Sequence, residues 1–275
     1  MIMRPAPTLP PTNELFRMDG MRVLLTGAGG AIGSVLAKAF ADLGAAVAVH
    51  DLNLDKVEPL AQEITTAGGQ AYPIAADISD PRQCTELIDS AVGALGGLDV
   101  LVNGAGINRR KPILDVTVDD FDAITAVNMR AVYLLSQAAH PHLKASGRGS
   151  IVNLSSLSAR YSFNTISVYA ATKAAVSGMT RSFAREWAGD DIRVNCIEPA
   201  VVQTEFTKPL WGEEHRYRWF GDTTPVGRLA QAQELVGAVV FLATPASSYI
   251  TGQGIVIEGG ILAGGDWDSY AETNS

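Results

Sequence analysis

Tyr169 and Lys173, four residues apart in "VYAATK", are the first pair in this chain that could move a proton. On a helix that spacing puts both side chains on one face, one turn apart. A free tyrosine, with a pKa of about 10, is a poor acid–base group at neutral pH. A neighbouring ammonium favours the phenolate and lowers that value. Thirteen residues before the tyrosine, Ser156 closes the apolar run "SIVNLSS", where its hydroxyl could hold a substrate oxygen. Tyr-x-x-x-Lys alone is common on protein surfaces, so its meaning depends on what else the chain places beside it.

The stretch "LLTGAGGAIGSVLAKAF" is the second candidate. Gly27 and Gly29 begin a G-x-G-x-x-G pattern, but Ile32 occupies the third glycine's place and Gly33 follows one residue late. A strand, a glycine turn and a helix in succession point to phosphate binding. Glycine lets the backbone turn tightly and approach the phosphate, and the helix amino terminus offers free N–H groups. No Gly-Lys-Ser/Thr follows, which excludes a Walker loop. The second apolar run ends at His50-Asp51. An acidic residue roughly 20 positions past the glycines accepts hydrogen bonds from an adenosine ribose. The same carboxylate repels a 2′-phosphate, and no Lys or Arg lies in the turn or directly after Asp51. NAD is therefore the expected cofactor. Asp77, after the third run, reads as an adenine contact or as a cap for the next helix.

These groups need elements to position them. Short apolar runs alternate with amphipathic stretches: "MRVLLTG", "AAVAVHD", "QAYPIAADIS", "LDVLVNGAG", "GSIVNLSS", "IRVNCIEPA" and "GQGIVIEGG". The first run is followed by a helical stretch to Leu43, the second by Leu54–Thr66 and the third by a helix through Leu95. Continuous apolar strands separated by helical crossovers give an α/β fold, a doubly wound parallel sheet with helices on both faces. Ligands in such sheets gather beyond the carboxyl ends of the strands. No linker divides the chain, so one domain is expected over 1–275, with a flexible tail over 1–14 and a second tail over 265–275.

Composition narrows the function. The net charge of −8 argues against nucleic acid or an anionic membrane as the main partner. Cys84 and Cys196 cannot build a disulfide framework or a thiolate metal site, and a reducing cytoplasmic setting is the default. The proline-rich start does not read as a signal peptide, and no apolar stretch is long enough to span a membrane. Nothing has metal-ligand spacing.

Taken together, these motifs resemble the short-chain dehydrogenase/reductase family from about Leu15 to Gly264. The family's T-G-x-x-x-G-x-G resolves the odd glycine spacing: Thr26, Gly27 and Gly33 match, with Ala31 at a usual glycine. Asn103-Gly-Ala-Gly106 is similar to its N-N-A-G, Gly104 departing. Glu198–Thr204 corresponds to the nicotinamide-holding stretch, with Ala200 for glycine. The resemblance implies a Rossmann fold of about seven strands, a homotetramer, and hydride transfer between a carbinol carbon and the nicotinamide. Asn128, Ser156, Tyr169 and Lys173 would be the catalytic set. Tyr169 would exchange the hydroxyl proton, Ser156 orient the oxygen, Lys173 hold the nicotinamide ribose, and Asn128 anchor a water. The cofactor would lie against Gly27, Gly29, Gly30 and Ile32, then Asp51, Asp77, Ile78, Asn103 and Ala105. Tyr169, Lys173, Val202 and Thr204 would complete its site.

Two segments bear on the substrate. "AGINRRKP" places Arg109, Arg110 and Lys111 near the point where strand order reverses, where a cation could bind a carboxylate. Residues 205–225, rich in aromatics, are expected to be a substrate lid or a packed helical pair at a subunit contact. Both segments resemble the gluconate 5-dehydrogenase and deoxy-ketogluconate dehydrogenase branch. That implies a sugar acid or polyol, with Arg109 the expected carboxylate contact beside Ser156 and Tyr169. The alternatives are a 3-oxoacyl thioester reductase, which would normally want NADP, and a non-catalytic NAD-binding scaffold or sensor. The intact Ser156, Tyr169 and Lys173 argue against the scaffold.

Overall fold

Each apolar run forms a strand, trimmed by up to four residues at an end where the chain turns. The computed structural model describes residues 8–264. Its strands are β1 Arg22–Thr26, β2 Ala46–Asp51, β3 Gln70–Ala75, β4 Val100–Asn103, β5 Ser150–Leu154, β6 Arg193–Pro199 and β7 Gly254–Ile257. The α-helices are α1 Ala31–Asp42, α2 Leu54–Thr66, α3 Pro81–Leu95, α4 Val118–Thr125, α5 Ala131–Ser146, α6 Ser167–Trp187, α7 Lys208–Trp211, α8 Glu214–Thr223 and α9 Val236–Ala243. All neighbouring strands pair in parallel, in the order β3-β2-β1-β4-β5-β6-β7. The expected doubly wound sheet is what the chain forms.

The continuous apolar pattern of the central strands has a direct cause. Successive side chains point to opposite faces. Val23 and Leu25 of β1 join Leu36, Phe40, Val239 and Leu242 on one side. Leu24 joins Leu101, Ile151, Leu87, Leu135 and Phe183 on the other. Helices cover both faces, so no position in β1 can be polar without a partner. The edge strand β3 is covered less and alternates between exposed and half-buried residues.

Helix boundaries follow local chemistry. Pro81 opens α3 behind Asp80, whose side chain accepts from the Arg82 N–H, and Gly96 closes it in the left-handed conformation. Thr117 and Asp120 form a reciprocal capping box on α4. Residues 205–225 are the two short helices α7 and α8, not an irregular loop. Phe220 is buried there with Val201 and Leu229, and Phe163, Leu210 and Trp211 pack against them. Of the tails expected over 1–14 and 265–275, the second lies outside the described residues. Within the first, Thr12–Glu14 form a turn of 3-10 helix.

The sheet order reverses between β1 and β4, because the chain winds outward through β2 and β3 and later returns to continue on the other side. The loops after β1 and β4 therefore part at the carboxyl ends and open a crevice.

Candidate active site

The glycine loop forms one wall of that crevice. Gly27 has φ 73°, and a Cβ there would stand 2.8 Å from the Ala105 backbone. At Gly33 a Cβ would lie 2.2 Å from the Gly27 carbonyl oxygen. The late glycine is thus the one that lets α1 press under the loop. No side chain caps α1, so its first-turn N–H groups are available to an anion. Gly27, Gly29, Gly30 and Ile32 all line the crevice, and so does Ala31. This turn, packed too tightly at Gly27 and Gly33 to admit a Cβ and followed by an uncapped helix, fits the pyrophosphate of a dinucleotide.

Asp51 accepts from the N–H groups of Gly29 at 3.2 Å and Leu52 at 2.9 Å. A Cβ on Gly29 would sit 2.9 Å from its carboxylate, so that glycine makes room for the acid. Lys56, in the first turn of α2, brings its Nζ within 3.8 Å of Asp51. Sequence adjacency hid this cation, because the chain must turn into α2 before the two meet. Asp77 and Ile78 line the crevice. The Asp77 carboxylate accepts from the Ser79 N–H at 2.9 Å, a turn contact, while Asp80 caps the helix.

Asn103 ends β4, just before the crevice wall. Its amide donates to Asn153 at 2.8 Å and Ser136 at 3.2 Å inside the sheet, away from the crevice. Ala105 is in the crevice wall, and the Thr26 hydroxyl accepts from the N–H groups of Gly104 and Ala105. The substitution to Gly104 suits this crowding, since a Cβ there would meet the Thr26 carbonyl at 2.7 Å. Val202 and Thr204 line the far end, joined through Thr207. The crevice holds about 690 Å³ and runs from Asp51 to Ser156.

The catalytic candidates meet at its inner end. Tyr169 and Lys173 face it from α6, with the Lys173 ammonium 5.5 Å from the centre of the tyrosine ring. Lys173 donates to the Leu154 carbonyl at 2.6 Å. Ser156 is extended at the start of a 3-10 turn, accepts from the Ser158 N–H at 3.0 Å and lines the crevice with Tyr169. Asn128 is buried in a π-helical turn, Ala126–Arg130, between α4 and α5. Its amide clamps Ile107, accepting from the N–H at 2.8 Å and donating to the carbonyl at 2.9 Å.

Electrostatics differ from the simple ammonium–phenol pair. Burial raises the Tyr169 pKa, and the Ser156 hydrogen bond and the Arg110 cation work against that rise. Burial also lowers Lys173 to about 8. Desolvation outweighs the attraction expected between the two, since both leave water together.

The basic cluster after β4 is divided. Arg109, half exposed, bonds Asp120 at 3.2 Å, and Lys111 bonds the same carboxylate at 2.5 Å. Arg110 turns the other way. Its cation favours the Tyr169 phenolate, and its buried Nη1 has no hydrogen-bond partner. Both amide atoms of Asn108 are buried and unpartnered too. The sequence placed Arg110 in the basic cluster but favoured Arg109 within it, and Asn108 did not stand out. Only the side-to-side alternation of an extended segment hinted that neighbouring arginines part.

A glycine cradle, a carboxylate at the end of β2, and a Ser–Tyr–Lys cluster on one crevice are now together. A family model described as enoyl-(acyl carrier protein) reductase matches residues 27–262. The chain belongs to the short-chain dehydrogenase/reductase family. It is 35% identical over 248 residues to gluconate 5-dehydrogenase of Gluconobacter oxydans, covering 90% of this chain and 97% of that one. It is also 35% identical over 246 residues to a 3-oxoacyl-[acyl-carrier-protein] reductase of Thermotoga maritima, covering 90% and 99%. A crystal structure of a gluconate 5-dehydrogenase from Burkholderia cenocepacia, in complex with NADP and tartrate, superposes with a TM-score of 0.88 at 36% identity, covering 92% and 99%. The protein is thus a nicotinamide-dependent oxidoreductase of this family.

Two outcomes test the geometry. Gly33→Ala is expected to lower stability by about 1–3 kcal/mol in urea unfolding and to abolish saturable cofactor binding in a fluorescence titration. In alcohol oxidation, which needs the tyrosine to accept a proton, activity is expected to rise with pH toward the raised Tyr169 pKa. Arg110→Met removes a cation that favours phenolate, so the rising limb of its profile should move to higher pH. A pH–rate profile of kcat/KM for both proteins checks the sign.

Proposed function

We propose that this protein is an NAD-preferring dehydrogenase of sugar acids and related polyols. The observation that carries this reading is the Arg110 guanidinium beside Tyr169, buried at Nη1 with no partner. A desolvated cation without an anion is unfavourable in the protein alone. A substrate carboxylate would complete it with charge-assisted hydrogen bonds. Arg109, the expected contact, is already paired with Asp120, which it shares with Lys111. The bound tartrate named for the Burkholderia enzyme is itself a hydroxy acid, which agrees with an acidic substrate.

Bound nicotinamide supplies the hydride acceptor or donor. Ser156 would hold the substrate oxygen, and Tyr169 would give it a proton during ketone reduction or take one during alcohol oxidation. The raised tyrosine pKa keeps the phenol protonated at neutral pH, so the proton that reduction requires is in place. Lys173 would hold the nicotinamide ribose from below, anchored on Leu154. Asn128 would fix the Ile107 turn and anchor a water of the proton relay. The preference for NAD rests on Asp51, oriented by Gly29 toward the ribose position; Lys56 moderates its repulsion of a 2′-phosphate. Reduction of 3-oxoacyl thioesters is the second reading, favoured by the Thermotoga relative. The unpaired Arg110 cation would stand against an uncharged acyl chain, which disfavours it.

Assembly as a homotetramer belongs to the same reading. Ile113, Leu114, Val118 and Phe121 form an exposed apolar stretch on and before α4, suited to a subunit contact. Light scattering coupled to gel filtration should give four times the chain mass. For the activity, NAD and NADP are to be compared on sugar acids, polyols and hydroxyacyl thioesters, with Tyr169→Phe as control. Turnover of sugar acids with NAD, lost by at least about 100-fold in Tyr169→Phe, is the expected outcome. Turnover confined to NADP would remove the Asp51 argument, and equal rates in the two proteins would remove the mechanism.

A further inference from the structure

Glu198 is a buried carboxylate that the chemistry above does not use. Its side chain is 2% exposed, near the end of β6, directly before Pro199 and Ala200 in the wall of the crevice. Ser177 donates to its Oε1 at 2.9 Å. The Arg160 guanidinium bonds its other oxygen through Nε. A Cβ on Gly254 of β7 would stand 2.8 Å from Glu198, so the neighbouring strand leaves room for the acid. Arg160 is its one ion-pair partner among the described residues and is itself half exposed.

The partners of Glu198 lie in the segments that carry the reactive groups. Arg160 closes the 3-10 turn Leu157–Ala159, which Ser156 opens. Ser177 lies one helical turn past Lys173 on α6, and its hydroxyl is 2.9 Å from that of Ser155. Ser155 in turn donates to the Lys173 carbonyl at 2.8 Å. One carboxylate therefore ties the turn after β5, the reactive face of α6 and the loop after β6. A buried anion with a single cation partner tolerates little displacement, because separation leaves the charge uncompensated.

We infer that Arg160 and Glu198 are a positioning pair, which holds Ser156 and the loop after β6 at a fixed distance from Tyr169. Neither group touches the reacting atoms. The pair acts through the turn that presents Ser156, so its loss changes the rate of hydride transfer more than the affinity for either substrate. This inference rests on the reading of Ser156 and Tyr169 as catalytic.

The test is stopped-flow single turnover and steady-state kinetics of full-length Arg160→Met, Arg160→Lys and Glu198→Gln, with near-UV circular dichroism confirming the fold. Arg160→Met and Glu198→Gln should each slow hydride transfer at least tenfold, while both KM values change less than threefold. Arg160→Lys, which keeps a cation in reach, should recover the rate to within threefold of wild type. Glu198→Gln keeps an acceptor for Ser177, so its defect reports on the ion pair. Arg160→Met or Glu198→Gln with native dichroism and a wild-type transfer rate would overturn the inference, as would a loss confined to KM. Should a single variant lose its fold, the combined Arg160→Met and Glu198→Gln protein, which has no unpaired buried charge, is judged by the same criteria. Tyr169→Phe separates the two levels: if it is active, the catalytic reading fails; if it is inactive while Arg160→Met is unaffected, only the positioning pair fails.

Discussion

The Lys173 ammonium, taken out of water, needs a hydrogen-bond acceptor wherever α6 settles, and the Leu154 carbonyl at the end of β5 supplies it at 2.6 Å. That contact, with Ser155 donating to the Lys173 carbonyl at 2.8 Å, registers the helix against the strand. Tyr169 is one turn before Lys173, and Ser156 is two residues beyond Leu154. Registering one pair therefore brings the other together. A slip of α6 by one residue would rotate Tyr169 by about 100° around the helix axis, out of the crevice. The rest of the sheet serves this alignment. Parallel pairing directs all carboxyl ends to one side, and the reversal between β1 and β4 opens the space above them.

The same desolvation that anchors Lys173 sets the chemistry of the site. Burial lowers the lysine to about 8 and raises the tyrosine. Arg110 opposes the rise of the tyrosine and remains short of a partner itself. Loss of water thus leaves a phenol that keeps its proton and a nearby cation that lacks a partner. Both properties come from removing water rather than from an unusual residue type.

Much of the architecture could be read from the chain because its causes are local. The central apolar runs are strands because each must fill two buried faces, and helices such as Leu54–Thr66 follow a 3.6-residue pattern that needs no knowledge of neighbours. Gly27 and Gly33 were legible for the same reason, as a turn and a helix start are neighbours in sequence. Residues whose roles depend on distant partners were less legible. Asn103 precedes a loop in the crevice wall, yet its amide is drawn into the sheet by Asn153 and Ser136. Residues 205–225 lack a strong period of their own. They become α7 and α8 on contacts with Phe163, Val201 and Leu229.

By itself, the sequence determined the strand–helix alternation, the phosphate-binding turn and the pairing of Tyr169 with Lys173, all set by spacing within a few turns of chain. The tertiary structure decided which charge faces which. It turned Arg109 to Asp120 and Arg110 to Tyr169, brought Lys56 to Asp51, and enclosed Glu198 with Arg160. Charges attract across any sequence distance, and only the folded backbone selects among the possible partners and removes the water that would screen them.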